Sequence, residues 1–294
     1  MVNKFCVMIL SCFFLNSAFA LVDYTPASSG KTSGGGVRSI DISQVSQNNV
    51  SRNVFSSARK SLGMFQFTTG LDTIDAGDSK YDLYNLGVSF STPWKIYLDL
   101  NFNYGGKKAE GSTYTLGNTN FSVGATWLEY GQPHNVITFD VLGGMSLSVE
   151  ESDIGSQRND SYIGFMSKKN FGLFDFTLGF EYWFLDDASY ENEYSIGSYN
   201  KYLMNLGWTA TSDIRFDLGV QFHNISDIQN SEDVSFSEVT PQMNLKLASA
   251  FNLILGANFT SNRDVEGLNF QKIKLWNAKS LYGNSYFSKI SFRF

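Results

Sequence analysis

Apolar and polar residues alternate strictly in several segments of about ten residues, and this pattern constrains the fold more than any other feature of the chain. In "IYLDLNFNY" (96–104), every second side chain is apolar, and "FDFTLGFEYWF" (174–184) and "IRFDLGVQFH" (214–223) alternate in the same way. Successive side chains of a β-strand point to opposite sides, whereas a helix would need a period of 3.6 residues. The pattern therefore predicts strands with one apolar face and one polar face.

The same period predicts about twelve strands along the chain. They are expected near residues 62–73, 81–91, 95–104, 116–128, 136–149, 161–167, 173–184, 200–211, 213–224, 238–248, 251–261 and 284–294. Short connections, such as 92–95 and 211–213, alternate with longer polar ones, such as 151–160 and 262–283. A membrane barrel has short periplasmic turns and long outer loops, so the alternation favours a closed antiparallel transmembrane β-barrel over a soluble sandwich.

The overall composition agrees with a barrel and excludes a helical membrane protein. The 294 residues contain no run of about 18 apolar residues, which a transmembrane helix would need. The mean hydropathy is −0.16, and a barrel wall gives such a value because its residues alternate. The formal net charge of −6 disfavours nucleic acid as a partner.

The first twenty residues are typical of a secretory signal peptide. Lys4 supplies the positive start, residues 5–15 the apolar run and residues 18–20 a small-x-small cleavage site. Both cysteines, Cys6 and Cys12, lie in this leader, so we expect an exported chain without thiols or disulfides. Lipidation of Cys12 is the alternative, and it is disfavoured because the apolar run continues beyond that residue.

Residues 21–61 differ in composition from everything that follows. They are rich in Ser, Gly, Asn and Gln, and the glycine run at 28–36 lacks the spacing of a phosphate-binding loop. Residues 37–60 are net basic and have apolar side chains every four positions, as on a short helix. We expect a short N-terminal periplasmic extension, flexible or partly helical, that serves as a tether or plug before the barrel of residues 62–294.

The last strand carries a resemblance to a known class of proteins. The segment "SYFSKISFRF" (285–294) resembles the terminal strand of bacterial outer-membrane β-barrel proteins of the porin-like superfamily, with Ser288 departing from the pattern. The resemblance implies a bacterial outer-membrane location and partners in outer-membrane lipid and lipopolysaccharide. It also implies that the barrel-assembly machinery reads an assembly signal in the apolar positions, which are Tyr286, Ile290, Phe292 and Phe294.

The alternation assigns each side chain to one of the two faces of the predicted wall. Aromatic residues near the strand ends are expected at the two membrane interfaces: Trp94, Trp127, Phe174 and Trp208 near the short turns, and Tyr104, Tyr182 and Phe222 near the long loops. The opposite face would line the lumen. We predict as pore-lining Asp72, Asp99, Asn101, Asn103, Asp140, Asp175, Glu181, Arg215, Asp217, Gln221, Lys246, Asn258, Lys289 and Arg293.

Charge within a membrane-spanning structure needs water or a partner of opposite charge, so a hydrated pore and a salt-bridged closed interior both remain open. A barrel of about twelve strands lies between filled eight-stranded barrels and wide porins. This size predicts a channel for passive diffusion of ions or small hydrophilic solutes, and the acidic excess favours a weak cation preference. The alternative is a closed structural or surface-interaction barrel, adhesin-like or receptor-like, without transport.

Two further features have competing interpretations. Inward glycines, among them Gly124, Gly207 and Gly256, would either widen the lumen or let the wall kink. His134 and His223 are the only candidate bases, with the acids of loop 186–198 expected near His223. One histidine among loop acids is a weak signal, and no cysteine or histidine pair suits a metal. We therefore expect no enzyme activity, metal or cofactor.

Overall fold

The chain forms a closed antiparallel β-barrel of twelve long strands, as the alternation predicts. The computed structural model describes residues 64–76, 79–108, 113–132, 135–149, 152, 154–187, 194–228, 232–261, 273–275 and 279–294. The strands are β1 (Met64–Asp75), β2 (Lys80–Ser91), β3 (Ile96–Lys107), a two-residue β4 (Thr115–Leu116), β5 (Thr119–Gln132), β6 (Asn135–Leu147), β7 (Asp160–Phe171), β8 (Phe174–Phe184), β9 (Ser198–Thr209), β10 (Ile214–Ser226), β11 (Val234–Ala248), β12 (Phe251–Ser261) and β13 (Asn284–Arg293). The predicted signal peptide and extension lie outside the described residues.

The barrel closes through its first and last strands. Each long strand pairs with its neighbours in the chain, and β1 pairs with both β2 and β13. At the seam, the backbone N–H of Phe294 donates to the carbonyl of Phe65 at 2.9 Å. The short β4 only extends β3 beside Tyr104 and Gly105. Closure leaves no long strand with an unpaired edge. A sheet that spans a membrane must be closed in this way, because lipid cannot satisfy unpaired backbone groups.

The two ends of the barrel differ in their connections. The short-turn end carries the tight turns, in which Lys95 and Gly172 have positive φ angles of 61° and 79°. Glycine adopts this conformation without steric cost, which explains its place between β7 and β8. Strand β7 continues to Phe171, so it extends beyond the predicted 161–167. The long-loop end carries the connections after β1, β3, β6, β8, β10 and β12.

The outward face is apolar over the whole height of the wall. Leu86, Leu178, Leu206 and Leu218 are among the exposed aliphatic side chains between the two ends. Such a band is stable only against hydrocarbon, as in barrels that span membranes. Within the described part of the chain, no helix is long and apolar enough to cross a membrane.

Candidate functional site: the lumen

The structure places the predicted site residues on the two faces that the alternation assigns. All fourteen predicted pore-lining side chains point inward and are buried or half-buried. The seven predicted interface aromatics point outward, with Trp94 80% and Trp127 76% exposed. Tyr286, Phe292 and Phe294 are also exposed on the outward face, and Ile290 is half-buried there. The roles assigned to these residues stay predictions.

A charged cluster lies in the lumen toward the short-turn end. The guanidinium of Arg215 on β10 donates to Asp175 on β8, with Nη2 3.0 Å from Oδ1. The same group donates to Asp217 on its own strand, with Nε 2.9 Å from Oδ1. Asn244 donates a further hydrogen bond of 2.8 Å to Asp217. The cluster therefore joins strands β8, β10 and β11 around one buried cation.

Apart from Lys168 on β7, which is 3.9 Å from Asp175, the other charges in this half of the lumen are divided between two sectors of the wall. Asp99 on β3 and Asp140 on β6 form the acidic sector. Lys246 on β11, with Lys289 and Arg293 on β13, forms the basic sector. In the strand order, at least two strands separate the sectors on either side. A charge distribution of this kind creates an electric field across the lumen.

A second polar cluster lies in the lumen toward the long-loop end. Lys201 Nζ on β9 is 2.6 Å from Glu181 Oε2 on β8, and the indole N–H of Trp183 also donates to Glu181 at 3.1 Å. The Nδ1 atom of His223 is 2.7 Å from the hydroxyl of Tyr199, and its Nε2 atom is 3.7 Å from Glu238. Lys201 and Tyr199 are completely buried, and the contacts of this cluster connect β8, β9, β10 and β11.

The surroundings of His223 differ from the prediction. Among the described residues its acidic neighbour is Glu238 on the adjacent strand β11, whereas acids of loop 186–198 were expected near it. Of these acids, Glu191 and Glu193 lie outside the described residues. Asp186 instead donates its backbone N–H to Asp160. The difference arises because strand pairing places β11 beside His223, and pairing across a hairpin cannot be read from the loop sequence alone. The other histidine, His134, lies outside the described residues.

A third contact ties the last long loop to the inside of the barrel. Lys279, in the connection between β12 and β13, donates to the carboxylate of Asp72 on β1. It also donates to Oδ1 of Asn85 on β2 at 3.1 Å, and Asn85 in turn donates to Asp72 at 2.9 Å. A loop residue thus reaches the lumen and neutralises a wall carboxylate.

An apolar cluster fills the lumen at the long-loop end. Inward side chains of the wall, including Ile74, Leu83, Ile225 and Phe236, pack there against residues from the long connections. The loop residues are Ile154, Ile196, Ile228, Ile273, Leu275 and Leu281. We call these wall and loop residues together the apolar cap. Because it joins four long connections with the wall, it closes the mouth of the barrel at this end.

Arg158 holds two of these loops together. Its side chain is completely buried and donates to the carbonyls of Ile273 at 3.0 Å and Lys274 at 3.5 Å. Lys274 donates back to the carbonyl of Ser152 at 3.2 Å. Arg158 also contacts Asp160, with Nε 3.4 Å from Oδ1. The loops after β6 and β12 therefore interlock above the lumen.

The inward glycines accommodate neighbouring side chains, so the interpretation that they widen the lumen is wrong for the three named. A Cβ at Gly124 would stand 2.0 Å from the hydroxyl of Tyr97, and one at Gly207 would stand 2.0 Å from Nη2 of Arg215. At Gly256 it would stand 2.4 Å from the ring of Phe287. Large side chains lie over these glycines, as in barrels where an aromatic ring covers a strand glycine.

Several residues of the lumen were missed by the sequence reasoning. Lys201, Glu238, Lys279 and Arg158 carry contacts of the polar clusters, and none was predicted as a site residue. The loop residues of the apolar cap were also missed, because the long connections were treated as polar and solvated. A signal existed, since single isoleucines recur within polar segments such as "SDIGS" (152–156) and "SDIQN" (226–230). Within the described residues, no cluster of His, Cys, Asp or Glu is placed to hold a metal.

Solved structures of two outer-membrane proteins share this fold. The NanC porin aligns with a TM-score of 0.52 over 78% of this chain and 98% of its own, at 10% identity. An outer-membrane channel from Pseudomonas putida F1 aligns with a TM-score of 0.55 over 82% of this chain and 100% of its own, also at 10% identity. No family model matches the chain, and no curated protein matches it.

The chain has the fold of the porin-like outer-membrane β-barrels. The predicted fold class is confirmed. At 10% identity the similarity concerns the fold, which many functions share. What this barrel does must therefore be argued from its own lumen.

Proposed function

We propose that the protein is an outer-membrane channel for the passive diffusion of ions or small hydrophilic solutes. The observation that carries the proposal is the charge-lined lumen below the apolar cap, where acids of β3 and β6 lie in a different sector from bases of β11 and β13. A hydrated path with separated charges of both signs suits the passage of small polar solutes.

The energetic cost of this lining supports a conducting role. Removing charged groups from water is expensive, and replacing a buried ion pair by apolar side chains is often neutral or stabilising. A barrel with only a structural role could therefore fill its interior with apolar residues, as this chain does at the long-loop end. The charged side chains in the other half of the lumen are explained if water and solutes enter it, because charge within a membrane-spanning structure is tolerated around water.

The proposed ion selectivity is a weak cation preference. Inward acids and bases on the described strands are nearly equal in number, which excludes a strong field of either sign. The acids are Asp72, Asp99, Asp140, Asp160, Asp175, Glu181, Asp217 and Glu238, and the bases are Lys168, Lys201, Arg215, Lys246, Lys289 and Arg293. The slight acidic excess and the net charge of −6 make the potential negative, so cations are favoured over anions.

Conduction requires the apolar cap to move. In this conformation side chains of four long connections close the mouth, and an apolar constriction of this kind stops ions because it excludes water. We propose that this is the resting state and that the path opens when Ile273, Leu275 and Leu281 separate from the wall. Short openings from a closed baseline would be the electrical signature of such a channel.

Single-channel recording in planar bilayers tests the proposal. We expect brief current steps from the refolded protein and, in a salt gradient, a reversal potential that shows a small cation preference. The double variant Asp99→Asn/Asp140→Asn should shift that potential toward anions, whereas the exposed Asp213→Asn control should not. Membranes that stay silent with correctly folded protein, across the whole accessible voltage range, would refute the channel.

The second candidate is a closed surface-interaction barrel without transport. The apolar cap and the ion pairs Glu181–Lys201 and Asp175–Arg215 favour it, since both features fill or neutralise the interior. Silent membranes together with specific binding of the long loops to cells or matrix would support it. We propose no enzymatic role, because His223 is 2% exposed beneath the cap and its hydrogen-bonding partner is a buried tyrosine.

The predicted extension and assembly signal belong to the same proposal. Residues 21–61 would be a periplasmic tether or plug whose basic part, 37–60, enters the lumen and restricts it. Deletion of residues 21–61 should then raise the single-channel conductance, and an unchanged conductance would contradict the plug. Phe294 would be read by the barrel-assembly machinery, and lipopolysaccharide would surround the long-loop end.

A further inference from the structure

A depression of about 640 Å³ lies in the outward face of the barrel and crosses β9 to β12. Its size is within the range of roughly 300–1,000 Å³ that small-molecule sites occupy. Pro241 and Ala257 lie side by side in it, surrounded by larger residues such as Leu218, Met243 and Phe259. The surface that lines it is almost entirely apolar, so it offers no hydrogen bonds to a polar ligand.

The depression coincides with a break in the sheet. Strands β11 and β12 pair from Ser237 to Val239 and again from Gln242, and the pairing is interrupted at Thr240 and Pro241. Proline cannot donate to the ladder and is normally confined to edges and bulges of sheets. Departures from such local rules are expected at sites with a function. The wall therefore lacks ladder hydrogen bonds between β11 and β12 at the place where it forms the depression.

Aromatic residues mark the level of the depression in the membrane. Phe174, Trp208 and Phe216 stack in a row, with ring centroids 6.4 Å and 5.7 Å apart. Trp208 and Phe216 also line the depression on its short-turn side. Aromatic rings of this kind lie at the headgroup level of a bilayer. A lipid whose headgroup lies beside this row would place its hydrocarbon chain over Pro241 and Ala257.

We infer that this depression binds one acyl chain of a phospholipid from the leaflet at the short-turn end. An apolar, laterally open site on a membrane-facing wall is matched by hydrocarbon. A second copy of the chain fits less well if its two-fold axis passes through the depression, because the depression would then face its own copy. Two concave surfaces that face each other leave empty space and lose dispersion contacts. The inference does not depend on conduction through the lumen.

Quenching of Trp208 by a brominated phospholipid tests the inference in detergent micelles. The reference variant has Trp94, Trp127 and Trp276 replaced by Phe, and a second variant has Trp208→Phe as well. The difference between them isolates the emission of Trp208 from that of Trp183. We expect the quenching of Trp208 to increase with added lipid and to saturate near one lipid per protein. Further lipid should then increase the quenching only weakly, as lipid accumulates in the micelle.

A substitution that fills the depression provides the matched comparison. Ala257→Leu should abolish the saturable component, whereas Ala125→Leu, at another outward-facing alanine on β5, should leave it unchanged. Heat-modifiable gel migration will show that both variants are folded. Quenching proportional to the lipid content from the first addition, or saturation that survives Ala257→Leu, would overturn the site. If Trp208 emission changes with protein concentration and does not change with lipid, a second copy of the chain occupies the depression. This result would also refute the lipid site.

Discussion

Arg215 shows how single residues organise the charged part of the lumen. Asp175, Gly207 and Asp217 lie opposite one another on β8, β9 and β10. The guanidinium of Arg215 lies over Gly207 and bonds the carboxylates on both sides, in the space that the glycine leaves. A glycine in the middle of a strand weakens it, so its presence here is explained by the cation that it accommodates.

Removal of this cation should strongly destabilise the barrel. Arg215→Met would leave two buried carboxylates without their main partner, which typically costs about 3–5 kcal/mol. Urea unfolding in lipid vesicles measures the change. Lys168→Met is the comparison, because Lys168 is 3.9 Å from Asp175 and contributes a weaker contact. Equal losses from the two variants would contradict the central role of Arg215.

The relation between glycine and arginine can be tested separately. Gly207→Ala should lower the free energy of unfolding, because the new Cβ displaces the guanidinium. In the Arg215→Met background the same change should cost much less, so a double-mutant cycle should show a coupling of roughly 0.5–3 kcal/mol. Gly219→Ala is the control, since the nearest atom to its Cβ would be 3.5 Å away. Additive effects would exclude the proposed contact.

The faces of these residues could be predicted from the sequence, but their partners could not. Period-two alternation alone assigns Asp175, Arg215 and Asp217 to one face, because the strand backbone fixes it. Which of them meet depends on the register of three strands, and register is set by the whole hairpin series. The cover of Gly124 by Tyr97 was missed for the same reason.

At the scale of elements, the long loops pack into the mouth of the barrel. The loops after β6 and β12 interlock through Arg158, and the latter loop is anchored to the wall by Lys279. The sequence predicted that these loops exist and that they share one end of the barrel. Their inward packing was not predicted, since isolated apolar residues in a polar segment have no periodicity to indicate burial.

Loss of the Lys279 anchor should favour the open mouth. Lys279→Met removes the contacts with Asp72 and Asn85, and a loss of about 1–2 kcal/mol shifts a two-state ratio roughly 5–30-fold. Single-channel recordings should therefore show a higher open probability. Lys80→Met removes an exposed lysine at the same end and serves as control. An unchanged open probability in Lys279→Met, with folding intact, would exclude the anchor as a gate.

At the scale of the whole molecule, the seam between β1 and β13 closes the ring. Ten residue pairs join these strands, from Gln66 with Arg293 to Asp75 with Asn284. Closure depends on residues at opposite ends of the barrel sequence, so the seam forms only when the strands between them are in place. The terminal strand could be predicted from its alternation and final aromatic residue, whereas its register with β1 could not.

A disulfide across the seam should lock the closed ring. Thr69 and Ile290 are directly opposed and both point outward, so Thr69→Cys/Ile290→Cys should oxidise readily. The linked protein should resist heat and retain the migration of the folded form on gels until it is reduced. Thr69→Cys/Phe292→Cys places the second thiol two residues along the same face and should link poorly. Equal linkage in both would contradict the register.

Because several long loops contact one another above the lumen, inserting a foreign peptide into one of them would disturb the others. Peptides are usually displayed on barrel surfaces by insertion into the extracellular segments, on the assumption that these tolerate extra length. An insertion beside Arg158 would instead separate side chains that meet in the interior, and the effect would reach the strand ends below. For this protein, an inserted epitope is best placed away from the buried isoleucines, and its effect on current is the first property to check.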